Sequence, residues 1–357
     1  ADITVIEGVM GYYDGMDATS CRQSTWEMAR LTQTPALLVV DASGSAASAA
    51  ATVKGFMTLK AESGIAGVLV NRVSGTHHYE LVRAAVAHYT GLPCVGYIEK
   101  NVNLALKSRH LGLVPAEEVE DALPRIREAA RQVADTLDWP MILDLAKRAP
   151  SLPAMPKTYP RMDGFRMGLA RDKAFSFYYR ANLDVLEVMG IELVPFSPLS
   201  DSKLPEKLDG LYIGGGFPEV FKSELEANVS MRQSVRAALE SGLPCYAECG
   251  GMMYLSQRID GAEMVGFLPQ TCRMTDRLQR FGYALVTDLK TGKTFPAHEF
   301  HHAVTKATGE AEYDFEIRKA SRPGLCWPGG MHKGRTTAGF AHLHFLSHPE
   351  WIERLWR

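Results

Sequence analysis

The sequence predicts an α/β protein built from two doubly wound α/β domains, and three observations carry that expectation. At 357 residues the chain exceeds what one hydrophobic core usually organises. Short β-branched runs alternate with helical stretches in both halves, the pattern of parallel sheets covered on both faces. Between the two series, Ala149–Pro160 carries four prolines in twelve residues, which stiffens the chain and forbids a helix. The expected organisation is a first domain over residues 1–147, a linker over 148–160 and a second domain over 161–357.

In the first domain the apolar runs are Ile3–Ile6, Ala36–Asp41, Gly67–Asn71 and Cys94–Tyr97. Functional loops of a doubly wound sheet follow the C-terminal ends of its strands, where Glu7, Asp41 and Asn71 fall. Residues 116–147 read as helical, with Leu123, Ile126, Ala130, Val133 and Leu137 at three- and four-residue intervals. The second domain should place strands at Phe165–Ala170, Glu192–Pro195, Gly210–Ile213 and Pro244–Glu248, and its later part, from about 262 to 345, reads as more antiparallel. No fixed-period repeat interrupts the series.

Composition narrows the function. With 46% hydrophobic and 22% charged residues and a formal net charge of -2, there is no basic excess to suggest a nucleic-acid partner. A run of about 18 apolar residues is missing, as is a basic segment followed by a hydrophobic stretch and cleavage site. A cytoplasmic enzyme with no membrane partner is expected, and a homodimer is left open. The six cysteines are dispersed, and the pair Cys245 and Cys249 has no second pair to complete a tetrahedral zinc site.

Leu243–Leu255 is the most informative segment. An apolar strand runs into Cys249, Gly250 and Gly251 follow at once, and a helix then begins, which is the strand-turn-helix elbow that exposes a nucleophile. A thiolate there gains from the helix N-terminus. Upstream, Gly214, Gly215 and Gly216 end a strand where backbone N–H groups could face an oxyanion and side chains would obstruct. Downstream, His342 and His344 lie near the end of another strand, and His348 begins a His-Pro-Glu triplet. A cysteine elbow, a glycine-rich loop and a late histidine, in that order, resemble a class I glutamine amidotransferase domain. The resemblance implies that Cys249 attacks the glutamine amide, with the glycines and Gly250 around the oxyanion and glutamine. It gives the proton transfers to a histidine, for which His342 ranks first, His344 shares its strand face, and His348 is the weakest.

The first domain then becomes readable. The segment from Ala1 to Gly15 is similar to a signature of the cobyrinic acid a,c-diamide synthases, and so are Val39–Gly44, Gly67–Val73, His110–Pro115, Ala174–Tyr179 with Asn182, Met274–Gln279 and His298–His301. The resemblance implies ATP as a substrate and Mg2+ as cofactor, with glutamine and a corrin-type tetrapyrrole as the other partners. Glu7, Asp14, Asp41 and Asn71 would serve ATP and the substrate carboxylate, Glu7 as the metal ligand and Asn71 at the adenine. The implied reaction is amidation of the a and c carboxylates of cobyrinate, in cobalamin biosynthesis. Hydrogenobyrinate and nickel-sirohydrochlorin remain alternative rings. Proteins of other classes would be a partitioning ATPase or dethiobiotin synthetase, which has no use for the cysteine elbow, or a scaffold that has lost catalysis.

The family opens with a Walker A loop, which this sequence does not contain. Its only Gly-Lys-Thr, Gly292–Thr294, has Thr287 where that motif wants glycine, and reads as a hairpin turn. The first domain is therefore expected to be an incomplete, dethiobiotin-synthetase-like P-loop domain, short of roughly 80 family residues on the usual domain spacing.

Overall fold

A computed structural model describes residues 2–101, 108–109, 112–113, 122–153, 158–347 and 349–356. The chain divides into two compact units, Ala1–Met155 and Pro156–Arg357, and the division falls inside the proline-rich stretch.

The first unit begins with helix α1 (Thr25–Thr32), whose first turn is capped by Ser24 accepting from the Glu27 N–H. Strand β1 (Ala36–Asp41), helix α2 (Ala47–Thr58), β2 (Ile65–Val73), α3 (Thr76–Thr90) and β3 (Cys94–Glu99) follow in alternation. The three strands form one parallel sheet in the order β1-β2-β3. Its core is small and aliphatic: Val40, Val53, Val68, Val70 and Val82 are buried together. Two residues each of β4 (Ser108–Arg109) and β5 (Gly112–Leu113) pair antiparallel; the neighbouring His110, Leu111, Val114 and Pro115 lie outside the described residues, as do 116–121.

One expectation for this unit needs correction. Ile3–Ile6 is not a strand: residues 2–8 carry no regular structure, and Val5 is 90% exposed. A strand is held by its lateral hydrogen bonds, and Ile3–Ile6 pairs with none of β1, β2 and β3. Glu7 consequently does not end a sheet strand. The stretch expected to be helical over 116–147 holds two helices among its described residues, α4 (Ala122–Ala134) and α5 (Trp139–Ala146). Asp138 breaks it by accepting from the Met141 N–H as the cap of α5, with proline in the first turn. Of the expected stripe, Leu123 and Ile126 are exposed.

The second unit is a mixed sheet with a parallel centre. Strand β6 (Arg166–Ala170) leads through β7 (Phe175–Phe177) to α6 (Arg180–Val188) and β8 (Glu192–Phe196). Next come β9 (Gly210–Ile213), β10 (Gly215–Gly216), α7 (Lys222–Ala227), α8 (Val229–Glu240), β11 (Cys245–Glu248) and α9 (Gly250–Leu255). Short β12 (Arg258–Ile259) and β13 (Ala262–Glu263) lead into two long strands, β14 (Gln270–Asp288) and β15 (Thr294–Ala307), then β16 (Glu312–Lys319), β17 (Cys326–Lys333), β18 (Thr336–Gly339), β19 (His342–Leu343) and α10 (Pro349–Trp356). The parallel part runs β18-β11-β9-β6-β8, and β14 to β17 are antiparallel. Every residue of β9 and of β11 is buried, which is why β9 reads as an uninterrupted apolar run and β11 as one up to its final residue, Glu248. Gly292 and Lys293 lie in the turn between β14 and β15, with Gly292 at φ +69°; Gly-Lys-Thr is a hairpin turn here.

Candidate active site

The strand-turn-helix elbow forms where the buried strand β11 meets α9. Cys249, between them, has φ 49° and ψ -104°, a left-handed conformation that costs a side-chain-bearing residue of the order of 1–3 kcal/mol and persists only when its surroundings over-determine it. They do so here: the Cys249 N–H donates to the Gly339 carbonyl at 2.7 Å, and its own carbonyl accepts from Met253 at 3.1 Å. Glycine is required at the two positions that follow. A Cβ on Gly251 would lie 2.1 Å from the Ile213 carbonyl oxygen, and one on Gly250 would lie 2.8 Å from Pro218 and 3.0 Å from the Gly216 nitrogen.

The glycine loop lies against this elbow. A Cβ on Gly215 would come within 2.9 Å of the His342 ring and 3.7 Å of the Cys249 Cβ. Its three members are not equivalent, however. The Gly214 N–H already donates to the Tyr178 hydroxyl at 2.9 Å, so in this arrangement it has no donor left for an oxyanion. Burial raises Tyr178 far above the ordinary tyrosine range, which keeps it a neutral hydroxyl.

Of the histidines, His342 meets the cysteine. It lies on β19, hydrogen-bonded to β15 opposite His298, and its ring hydrogen-bonds the Cys249 side chain. Its Nδ1 lies 3.5 Å from Glu248 Oε2. Burial works against a charge on the ring, but the bonds and charges of Cys249 and Glu248 outweigh it and lift His342 to about 10. His298 stacks on it with ring centroids 5.0 Å apart. Burial first, then the charge on His342, pushes His298 down to about 4, so it remains a neutral neighbour. His344 packs on Tyr179 instead, with centroids 5.1 Å apart. His348 lies outside the described residues.

Sequence reasoning overlooked the carboxylate that organises this cluster. Glu248, 2% exposed, accepts from the Tyr246 hydroxyl at 2.7 Å, the Tyr212 hydroxyl at 3.3 Å and the Leu343 N–H at 3.1 Å. A signal was present: Tyr246 and Glu248 are two apart on a strand and so share a face, and an acid in a fully buried strand demands partners. In the sequence Asn182 stands out by family resemblance alone. It is fully buried, donating to the Leu343 carbonyl and accepting from the Phe345 N–H, both at 2.8 Å, and so clamps the segment that carries His342.

The described acids of the first unit form no comparable cluster. Asp41 and Asn71 are direct partners at the ends of β1 and β2, and Arg72 reaches Asp41 Oδ2 at 3.0 Å. Hydrogen bonds from Ser43, then Arg72, hold Asp41 down to about 2. Asp14 folds over Gly11, where a Cβ would lie 2.2 Å from its Oδ2. Glu7 and Asp14 are exposed, and the described residues contain no group of three His, Cys, Asp or Glu arranged to hold a metal.

A strained, buried cysteine bonded to a histidine, beside a glycine loop on a parallel sheet, is the arrangement of a thiol amidotransferase. A family profile for the CobB/CobQ-like glutamine amidotransferase domain matches residues 166–350. The chain is 42% identical over 361 residues to the cobyrinate a,c-diamide synthase of Listeria innocua, covering 98% of this chain and 80% of that protein. It is 39% identical over 366 residues to the enzyme of that name from Priestia megaterium, covering 99% and 79%. A solved glutamine amidotransferase is 19% identical, with a TM-score of 0.41 over 53% of this chain and 96% of its own. The protein is thus a glutamine-dependent amidating ligase. Within that class it belongs to the cobyrinate a,c-diamide synthase family.

Proposed function

We propose that the protein amidates the a and c carboxylates of cobyrinate, with ATP as energy source and with ammonia released from glutamine at Cys249. The observation that carries this reading is the Cys249 elbow with His342 bonded to it. His342 takes the thiol proton, the thiolate attacks the glutamine amide carbon, and the C–N bond breaks as the same imidazolium protonates the departing nitrogen. Water, deprotonated by His342, then cleaves the thioester, so that glutamine and water yield glutamate and ammonia. Gly215, Gly216 and Gly250 are the members of the glycine set that we assign to the oxyanion and glutamine.

A carboxylate is a poor electrophile toward ammonia, so the second half-reaction transfers the γ-phosphoryl group of ATP to a ring carboxylate, and ammonia displaces phosphate from the acyl phosphate. We assign Asp41 and Asn71 to the nucleotide, Glu7 and Asp14 to the metal and carboxylate end. Mg2+ carried by a nucleotide takes only one or two protein carboxylates with water and phosphate completing its shell, a demand that two exposed acids seven residues apart in one segment fit. The ion would supply charge neutralisation at the transferred phosphoryl group.

Two assays test this. Glutamate release from glutamine by the purified protein should vanish in Cys249→Ala; persistence of wild-type glutaminase in that variant refutes the thiol reading. Competition binding among cobyrinate, hydrogenobyrinate and nickel-sirohydrochlorin should favour cobyrinate, and preference for either other ring reassigns the substrate.

A further inference from the structure

Beyond the cysteine and histidine, we infer that Glu248 is a positioning residue for the glutaminase reaction: from the residue just before the nucleophile, it holds His342 through Nδ1 and leaves Nε2 for the thiol proton. The inference rests on the reading of Cys249 and His342 given above. Glu248 takes three hydrogen bonds and, at 3.5 Å, the ion-pair contact of His342. Four donors converge on one carboxylate: Tyr246, the Leu343 N–H, Tyr212 and His342 Nδ1. Two of these four bind Oε1 and two bind Oε2, so both oxygens are engaged and the plane of the carboxylate is fixed. Leu343 adjoins His342, so Glu248 grips both the ring and the backbone that carries it.

The position explains why an acid is tolerated at 2% exposure. A buried carboxylate costs several kcal/mol unless it is paired and hydrogen-bonded, and the groups around it are arranged as donors. Tyr212 and Tyr246 are both driven far above their ordinary range by burial and then by the Glu248 charge, so they stay protonated and go on donating. Tyr178 and Tyr179 feel the same charge. Around His342 the titratable neighbours are Cys249 on the elbow, Glu248 on β11 and His298 on β15. Of these only Glu248 and Cys249 favour its protonated form; His298 is neutral in neutral solution. The proton that leaves the Cys249 thiol arrives at Nε2 while Nδ1–H stays hydrogen-bonded to Glu248, which accepts but is not itself protonated, as an orienting carboxylate does beside a catalytic imidazole.

Glu248→Gln tests the inference, because an amide has one acceptor oxygen and presents N–H groups to donors. Expected are a fall in glutaminase kcat of roughly a hundredfold with KM within about twofold. The alkaline limb of the pH profile, where His342 loses its proton, should move down by about one pH unit or more. In histidine-labelled protein the His342 resonance, identified by its loss in His342→Gln, should titrate correspondingly lower. Glu248→Asp, which keeps the charge but withdraws it, should recover part of the pH shift and little of kcat. An unchanged His342 titration and an unchanged alkaline limb in folded Glu248→Gln overturn the inference, whatever happens to kcat. If Glu248→Gln does not fold, Tyr246→Phe decides: loss of its donor must lower kcat severalfold at constant KM, and wild-type kcat overturns the proposal. The underlying reading fails separately, by glutaminase surviving in Cys249→Ala.

Discussion

The acid-bearing segment at the start of the first unit and the cysteine elbow of the second are the two sites proposed on family resemblance, yet they are built in opposite ways. Residues 2–23 are almost all irregular and hold to their unit by a few long-range bonds, such as the Tyr12 hydroxyl to the Ser63 carbonyl and the Tyr13 hydroxyl to the Phe56 carbonyl, both 2.6 Å. At the elbow every neighbour of Cys249 is fixed, by a strand on each side of β11, by glycines with no room for a Cβ, and by a buried carboxylate with four donors. The difference follows from the chemistry. A covalent nucleophile must meet its base within hydrogen-bond reach before substrate arrives, whereas acids that serve a nucleotide and its metal act through charge and take part of their geometry from the ligand.

If that contrast is right, substitutions at the elbow should stop glutaminase and substitutions in the acid segment should not touch it. The largest effect belongs to Cys249→Ser, with glutaminase falling by about a thousandfold or more in a glutamate-release assay. His342→Ala should lower turnover by roughly a hundredfold. His344→Ala should cost no more than about tenfold, because that ring packs on Tyr179 rather than facing the thiol; the reverse ranking of the two histidines would break the site as described. Asn182→Ala should act through stability, lowering it by about 1–3 kcal/mol in urea unfolding, since it leaves the Leu343 carbonyl and Phe345 N–H without their partner.

The pH dependence of stability sharpens the comparison further, because the two stacked histidines shift in opposite directions. His342, raised from 6.5 to about 10, contributes stability that is complete below pH 6.5 and is lost as pH rises through about 10. His298, lowered from 6.5 to about 4, imposes a loss of stability as pH falls from about 6.5 to 4, where the unfolded chain takes up a proton that the folded ring refuses. His298→Asn should therefore flatten the acid side of a denaturation midpoint plotted against pH, where the wild-type slope from this one group is at most about 1.4 kcal/mol per pH unit. The smallest effect is expected in the first unit: Glu7→Gln and Asp14→Asn should leave glutaminase within about twofold of wild type, and a large loss there would tie the two chemistries together.

How far the sequence spoke depended on the range of the interactions. Strands buried on both faces, such as Gly210–Ile213, announce themselves through uninterrupted apolar residues, and the elbow announces itself because glycine next to cysteine records a local steric demand. Ile3–Ile6 has the same composition as a buried strand, but pairing is decided by what lies alongside, which composition does not encode. The same limit hid Glu248, whose donors come from residues as far away as Tyr212 and Leu343, and made Gly214 look equivalent to Gly215 until Tyr178 was seen to occupy its N–H. Asn182 was legible as part of a motif but not as a clamp, since both of its partners lie more than 160 residues further along the chain.

The central claim is that Cys249, held against His342, is the group that forms a bond to glutamine. Treating the protein with an electrophilic glutamine analogue that carries a diazoketone in place of the amide, then mapping the adduct by peptide mass spectrometry, tests this most directly. The account predicts one adduct on Cys249, competed away by glutamine and nearly absent in His342→Ala; an adduct formed equally on exposed Cys326, or glutaminase persisting after Cys249 is fully modified, would contradict it.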